Sequence, residues 1–199
     1  MKTYIFCLAF LITSVMLGQK RPDLYTYQNI DIELKNGGSL KGVGKINLIG
    51  ELIYRPEEDA EKRKVEREEV KTFEISNDSS SRSFEYKHIQ GPNFIGEPLV
   101  LLEKLEAGKI ELFRKEMTQQ VSMGPGMGSM PRTVIVYYLS KPGENTAEHI
   151  KSNTYSRKFR KNATGRFPNC PELVNKIKNK AFDRYSIREI VKFYNTNCP

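Results

Sequence analysis

Apolar residues recur along this chain with two periods, and the change of period divides it. Up to about residue 140 the spacing is two. Tyr25, Tyr27, Ile30, Ile32 and Leu34 are interleaved with polar residues, which predicts a half-buried strand over 30–34. Asn36-Gly37-Gly38 tolerates positive φ and predicts a hairpin turn, with the return strand over 40–48. Gly42 and Gly44 inside that strand predict a bulge or a tight bend. A third short strand is expected over 52–54. Residues 70–76 alternate again, with Phe73 and Ile75 on one side. The serine-rich run 77–83 predicts a polar turn, and 84–89 another strand.

Residues 98–106 and 109–115 predict two strands joined at Ala107-Gly108, with Val100, Leu102, Ile110, Leu112 and Phe113 as apolar faces. The leucine and glutamate content of 99–105 leaves a helix as the competing reading there. The run Thr-Val-Ile-Val-Tyr-Tyr-Leu at 133–139 is β-branched and aromatic throughout. It predicts a central strand covered on both faces.

Two stretches break the alternation. Residues 55–71 carry mixed charges and predict a solvated loop or exposed helical turn. Glu57, Glu58, Asp59 and Glu61 there are too poorly turned for a calcium loop, which needs a glycine at its bend. Residues 117–131, rich in glycine and proline near their end, predict a flexible hairpin tip or lid.

Beyond about residue 150 the period becomes helical. A helix over about 154–162 leads into two more. Asn169 is an N-cap candidate and Pro171 suits a first helical turn. Leu173, Val174, Ile177 and Ala181 share one arc of about 100°. Ser186, with Glu189 three residues on, has capping-box spacing. Ile187, Ile190, Val191 and Tyr194 share an arc of the last helix. Cys170 lies on the first arc and Cys198 on the second. Short connections make antiparallel helix pairs, so both thiols face inward at one end, and a Cys170–Cys198 disulfide is expected. The fold class is therefore α+β: an antiparallel β-meander or small open barrel, followed by a C-terminal disulfide-tied helical hairpin.

Charge sharpens this division. Residues 19–148 carry 19 basic and 21 acidic side chains, whereas 149–199 carry 12 basic and 3 acidic. A near-neutral β-rich body thus precedes a basic helical region packed on it. At the other end, a lysine precedes an apolar run over 5–17 that is too short to span a bilayer, which needs about 20 residues. It fits a secretory signal over 1–18. Removal leaves two cysteines of three and no membrane-spanning segment. This suits an oxidising compartment, the periplasm or the exterior.

Cys170-Pro171-Glu172-Leu173, Ile177-Lys178-Asn179-Lys180, and Ile190 to Asn195 with Cys198 resemble a group of small exported proteins from Bacteroidota. The strand-turn over 105–113 and the Tyr137-Tyr138-Leu139 strand end are similar too. The likeness runs from about residue 30, but its specific part is the last thirty residues. It implies export and a bacterial source, and it carries over no catalytic residue.

No residue pattern points to catalysis. His88 and His149 are the only histidines, and neither has a partner at metal spacing. Glycine patterns for a nucleophile elbow, a phosphate loop or a dinucleotide fold are absent from the sequence. What remains is a basic run, Lys151, Arg157, Lys158, Arg160, Lys161 and Arg166, interleaved with Tyr155, Phe159 and Phe167. Such a run suits an anionic glycan, a lipid surface or an acidic protein; export disfavours nucleic acid. The reading is a non-catalytic exported module that binds an anionic partner and takes no cofactor. The alternatives are an envelope hydrolase whose acids or histidines converge only in the fold, and a Cu(I) protein using Met117, Met123, Met127 and Met130.

Overall fold

The computed structural model describes residues 21–90, 99–124, 126–150 and 156–199, with the side chains of 119 and 156–158 left aside. The expected signal segment and Lys151 lie outside the described residues. Ten strands are β1 (Gln28–Leu34), β2 (Ser39–Ile46), β3 (Leu52–Arg55), β4 (Arg63–Val65), β5 (Val70–Asn77), β6 (Ser80–Gln90), β7 (Leu99–Glu106), β8 (Glu111–Ser122), β9 (Ser129–Ser140) and β10 (Thr146–Ile150). Among the described residues three helices follow: α1 (Ser156–Arg166), α2 (Pro171–Lys178) and α3 (Ile187–Asn197). The fold is α+β.

The strands form one mixed sheet in the order β10-β9-β8-β7-β6-β5-β1-β2-β3-β4. It is not purely antiparallel, and it is not a barrel. The first half of β6 pairs with β5, and its last residues, His88 to Gln90, pair in parallel with β10. Because β10 also pairs with β9, the pairings β6–β7–β8–β9–β10 return to β6. The sheet as a whole stays open at β4. Alternation could not announce the parallel pairing, since β10 is a five-residue strand, Thr-Ala-Glu-His-Ile, with only two buried apolar side chains.

Burial follows the alternation. Ile30, Ile32, Phe73, Ile75, Phe84 and Tyr86 belong to one apolar cluster on β1–β6. A second cluster draws Ile89, Leu102, Phe113, Val136, Tyr138 and Ala147 from all five strands of the ring. In the third, Leu112, Leu139 and Ile150 meet Phe159, Ala163 and Phe167 of the α1 segment, Leu173 and Ile177 of α2, and Ile187, Ile190 and Val191 of α3. Thus β9 is covered on both faces only from Val136 onward; Ile135 is exposed.

Three expectations need correction. The 55–71 stretch contains β4, because Val65 drops into the core opposite Leu52. The 77–83 turn shrinks to Asp78-Ser79, with Asn77 to Ser83 otherwise laddered between β5 and β6. Most of 117–131 is strand rather than lid: β8 and β9 pair as far as Ser122 opposite Ser129. Its polar residues do not fail to form a strand; they form an exposed one.

Gly42 and Gly44 lie in β2 without a bulge. A Cβ at Gly42 would stand 2.2 Å from the Arg55 carbonyl oxygen and 2.7 Å from that of Pro56. At this crossing only glycine fits. We expect Gly42→Ala to cost about 1–3 kcal/mol, read as a lower urea midpoint with an unchanged slope; an unshifted midpoint would show that the crossing relaxes freely.

Candidate functional site

The basic C-terminal region is held by three devices. The first is the disulfide between Cys170 and Cys198, with Cα atoms 5.4 Å apart. Asn169 does not cap α2; Cys170 occupies that position, and its sulfur is committed to the bridge. Nor is the capping box made. The Ser186 hydroxyl instead accepts from the Asp183 backbone N–H, 3.3 Å away, and steadies the preceding turn. Cys198 lies just past α3 in extended conformation.

The second device is Asn195. Its side-chain Oδ1 accepts from the Ile110 N–H at 2.9 Å, and its Nδ2 donates to the carbonyls of Ile110 at 2.9 Å and Ala107 at 3.2 Å. One amide therefore satisfies the backbone of the β7–β8 turn, as a neighbouring strand would. Gly108 makes room for it: φ there is +146°, and a Cβ would come 2.6 Å from the Asn195 amide. The third device is electrostatic. Arg188 and Lys192 of α3 both reach Glu106, and Arg166 of α1 holds Glu148, with Nη1 donating at 2.8 Å. Acids of the body are thereby spent on docking the helices.

Against this frame the expected binding residues divide. Arg166 is engaged with Glu148. Arg160 is half-buried and Lys161 exposed on α1. The side chains of Arg157 and Lys158 lie outside the described residues, as does Lys151. The structure adds Lys178 and Lys180, which the basic-run reading had left out. Both are exposed, and neither they nor Lys161 form an ion pair among the described residues. Lys180 has φ +64°. Its N–H donates to the Ile177 carbonyl while that of Ala181 donates to Lys176, which closes α2 with a left-handed residue. That geometry turns Lys180 outward, a placement visible in sequence only as the end of an apolar period.

The ring of the body buries a cluster of paired charges. Inside the ring, Lys87 (4% exposed) lies 2.8 Å from Glu85 and donates to the Glu144 carbonyl at 2.6 Å. Lys104 bridges Glu111 at 2.7 Å and also meets Glu85. Both ammonium groups lie over the Phe113 ring. Burial pulls the Lys104 ammonium down, but the two carboxylates outweigh it and hold its pKa above the usual lysine range. Glu85 and Glu111 are thus both bridged by Lys104. His149 faces Tyr138 with ring centres 5.7 Å apart, and the His88 backbone N–H donates to the Asn145 carbonyl.

A cleft of about 530 Å³ opens on the other side of the sheet, and sequence reading missed it. Phe84, Tyr86, Leu99 and Leu101 line it, together with Asp23, Leu24, Tyr25 and the 46–50 turn. Leu48 on that turn is 94% exposed. At one end Glu103 receives two forked guanidinium groups, from Arg82 (3.2 and 2.8 Å) and Arg114 (2.7 and 3.0 Å). Burial pushes the Glu103 carboxyl up, but these bonds and charges prevail, and its pKa lies below the ordinary value. A depressed carboxylate stabilises the fold above its unfolded pKa and loses that contribution as pH falls through the folded one. Glu103→Gln should therefore cost about 2 kcal/mol at neutral pH, with the gap to wild type narrowing in acid. A pH-independent gap in urea titrations would contradict the assignment.

Among the described residues no group of three or more His, Cys, Asp or Glu is placed to hold an ion. Met123, Met127 and Met130 are exposed at the β8–β9 tip. Met117 pairs with Val134, four residues down the strand from the Val121–Met130 pair, so about 13 Å separates it from them. No helix among the described residues is long and apolar enough to cross a membrane. Comparison with protein-family models, with curated proteins and with solved structures found no match.

Proposed function

We propose that this is an exported, non-catalytic binding module whose helical layer presents a cationic surface to an anionic partner, a glycan or a lipid headgroup surface. One observation carries the reading. The helical region holds 12 basic and 3 acidic residues, and the body acids that reach it are already engaged in docking. The surplus at Lys161, Lys178 and Lys180 faces solvent without counter-charge among the described residues. Exposed charge of one sign raises the local concentration of oppositely charged partners and their rate of encounter. The disulfide supports export, since such bonds persist in oxidising compartments. The Asn195 and Cys198 attachments keep the surface fixed relative to the sheet.

Retention on immobilised heparin tests the reading. Wild-type protein should elute at higher salt than a Lys161→Glu, Lys178→Glu, Lys180→Glu variant. The same number of reversals on the body, at Lys41, Lys62 and Lys71, should change elution less. Equal elution of all three proteins would end the proposal.

A further inference from the structure

The ladder between β7 and β8 stops early. Glu103 pairs with Arg114, and beyond that rung no residue of β7 faces one of β8. Yet both strands continue. Leu99 to Leu102 remain paired with β6, and Lys115 to Thr118 remain paired with β9. Each strand therefore turns an edge toward the gap, and among the described residues no strand fills it. The cleft meets these edges. Three consecutive residues of β7, Leu99, Val100 and Leu101, line one wall, and Arg114, Lys115 and Glu116 of β8 line the other. Successive side chains of a strand point to opposite faces, so a cavity touching three in a row touches the strand's edge.

We infer that this slot receives an extended peptide segment, which adds as a strand between β7 and β8. Two facing strand edges offer rows of N–H and C=O groups that only another extended main chain can satisfy along its length. The open run of four β7 residues spans about 13 Å, enough for a segment of four or five residues. Its side chains on one face would meet Phe84, Tyr86 and Leu101, which asks for apolar residues at alternate positions. Charge selects further. The slot contains Arg67, Arg82, Arg114 and Lys115 against Asp23, Glu103 and Glu116. Of these, Glu103 is taken by Arg82 and Arg114. Lys115 is half-buried and has no acidic partner among the described residues; burial alone holds its pKa below the usual lysine range. A carboxylate on the incoming segment would supply the missing partner. This site is separate from the cationic helical surface, and either can fail without the other.

Two measurements test it. In the free protein, amide exchange should be fast at those amides of Leu99–Leu102 and Lys115–Thr118 that face the slot. It should be slow in β6 at Ser83, Phe84 and His88, which are paired on both sides. Slow exchange on both slot edges would mean the chain itself fills the gap and would overturn the inference. A displayed random decapeptide library should then yield binders with alternating apolar residues and an acid. N-methylation of alternate backbone nitrogens should weaken synthetic binders at least tenfold, and Lys115→Glu should weaken the acidic ones by a similar factor while near-ultraviolet circular dichroism stays unchanged. Failure to select binders, or binders indifferent to N-methylation, would also overturn it.

Discussion

Replacing Cys170 and Cys198 with serine is expected to lower stability by about 3–4 kcal/mol, because the bridge closes a loop of sequence separation 28 in the unfolded chain. For a chain of this size that corresponds to a fall in Tm of roughly 10 °C. The loss should concentrate in the helical layer. Leu173, Ile177, Ile190 and Val191 bury against the sheet in the same cluster as both cysteines, and α2 and α3 are short enough to depend on that packing. Reduction of the wild-type protein should raise its mass by about 2 Da, since each thiol gains a hydrogen, and reproduce the serine variant's Tm. A double-serine protein as stable as the wild type would show that packing alone holds the layer.

The second large effect is expected at Asn195. Asn195→Ala removes three hydrogen bonds at once and leaves the Ile110 N–H without its acceptor. A cost of about 2–4 kcal/mol follows, with faster amide exchange at Ile110. Gly108→Ala should act through the same contact, since its Cβ would displace the amide. The two changes should therefore be non-additive, and Gly108→Ala should cost clearly less in the Asn195→Ala background. Additive costs would mean that glycine serves only the turn's backbone and not the docking of α3.

The elements with a clean period were legible in the sequence. The β1–β2 hairpin, β5, the β7–β8 pair and the two terminal helices follow from alternation or from apolar arcs, because one-sided burial enforces that period. Facing arcs on two helices joined by a short turn place their ends together, and so the disulfide was legible too. What stayed hidden lacks a local signature. β4 is three residues at the sheet edge, and β10 is five residues with only two buried apolar side chains. The exposed halves of β8 and β9 are polar strands with no buried face to impose alternation. Asn195 read as one polar residue at the end of an amphipathic helix, and only the fold brings it to Gly108. The Arg82–Glu103–Arg114 end of the cleft joins three strands' worth of sequence. Of the basic run, Lys161 is exposed without an ion pair among the described residues, Arg160 is half-buried and Arg166 is paired with Glu148; Lys178 and Lys180, outside that run, are exposed as well.

The proposed recognition surface requires the surplus positive charge of the pinned helical layer to act on an anionic partner. Binding to vesicles containing roughly one-third anionic phosphatidylglycerol, compared at roughly 50 and 200 mM salt, tests it most directly. Binding should weaken steeply over this range and fall at least tenfold for the Lys161→Glu, Lys178→Glu, Lys180→Glu variant at the lower salt. Heparin can stand in for the vesicles if the partner is a glycan. Equal, salt-insensitive behaviour of the two proteins on both surfaces would contradict it.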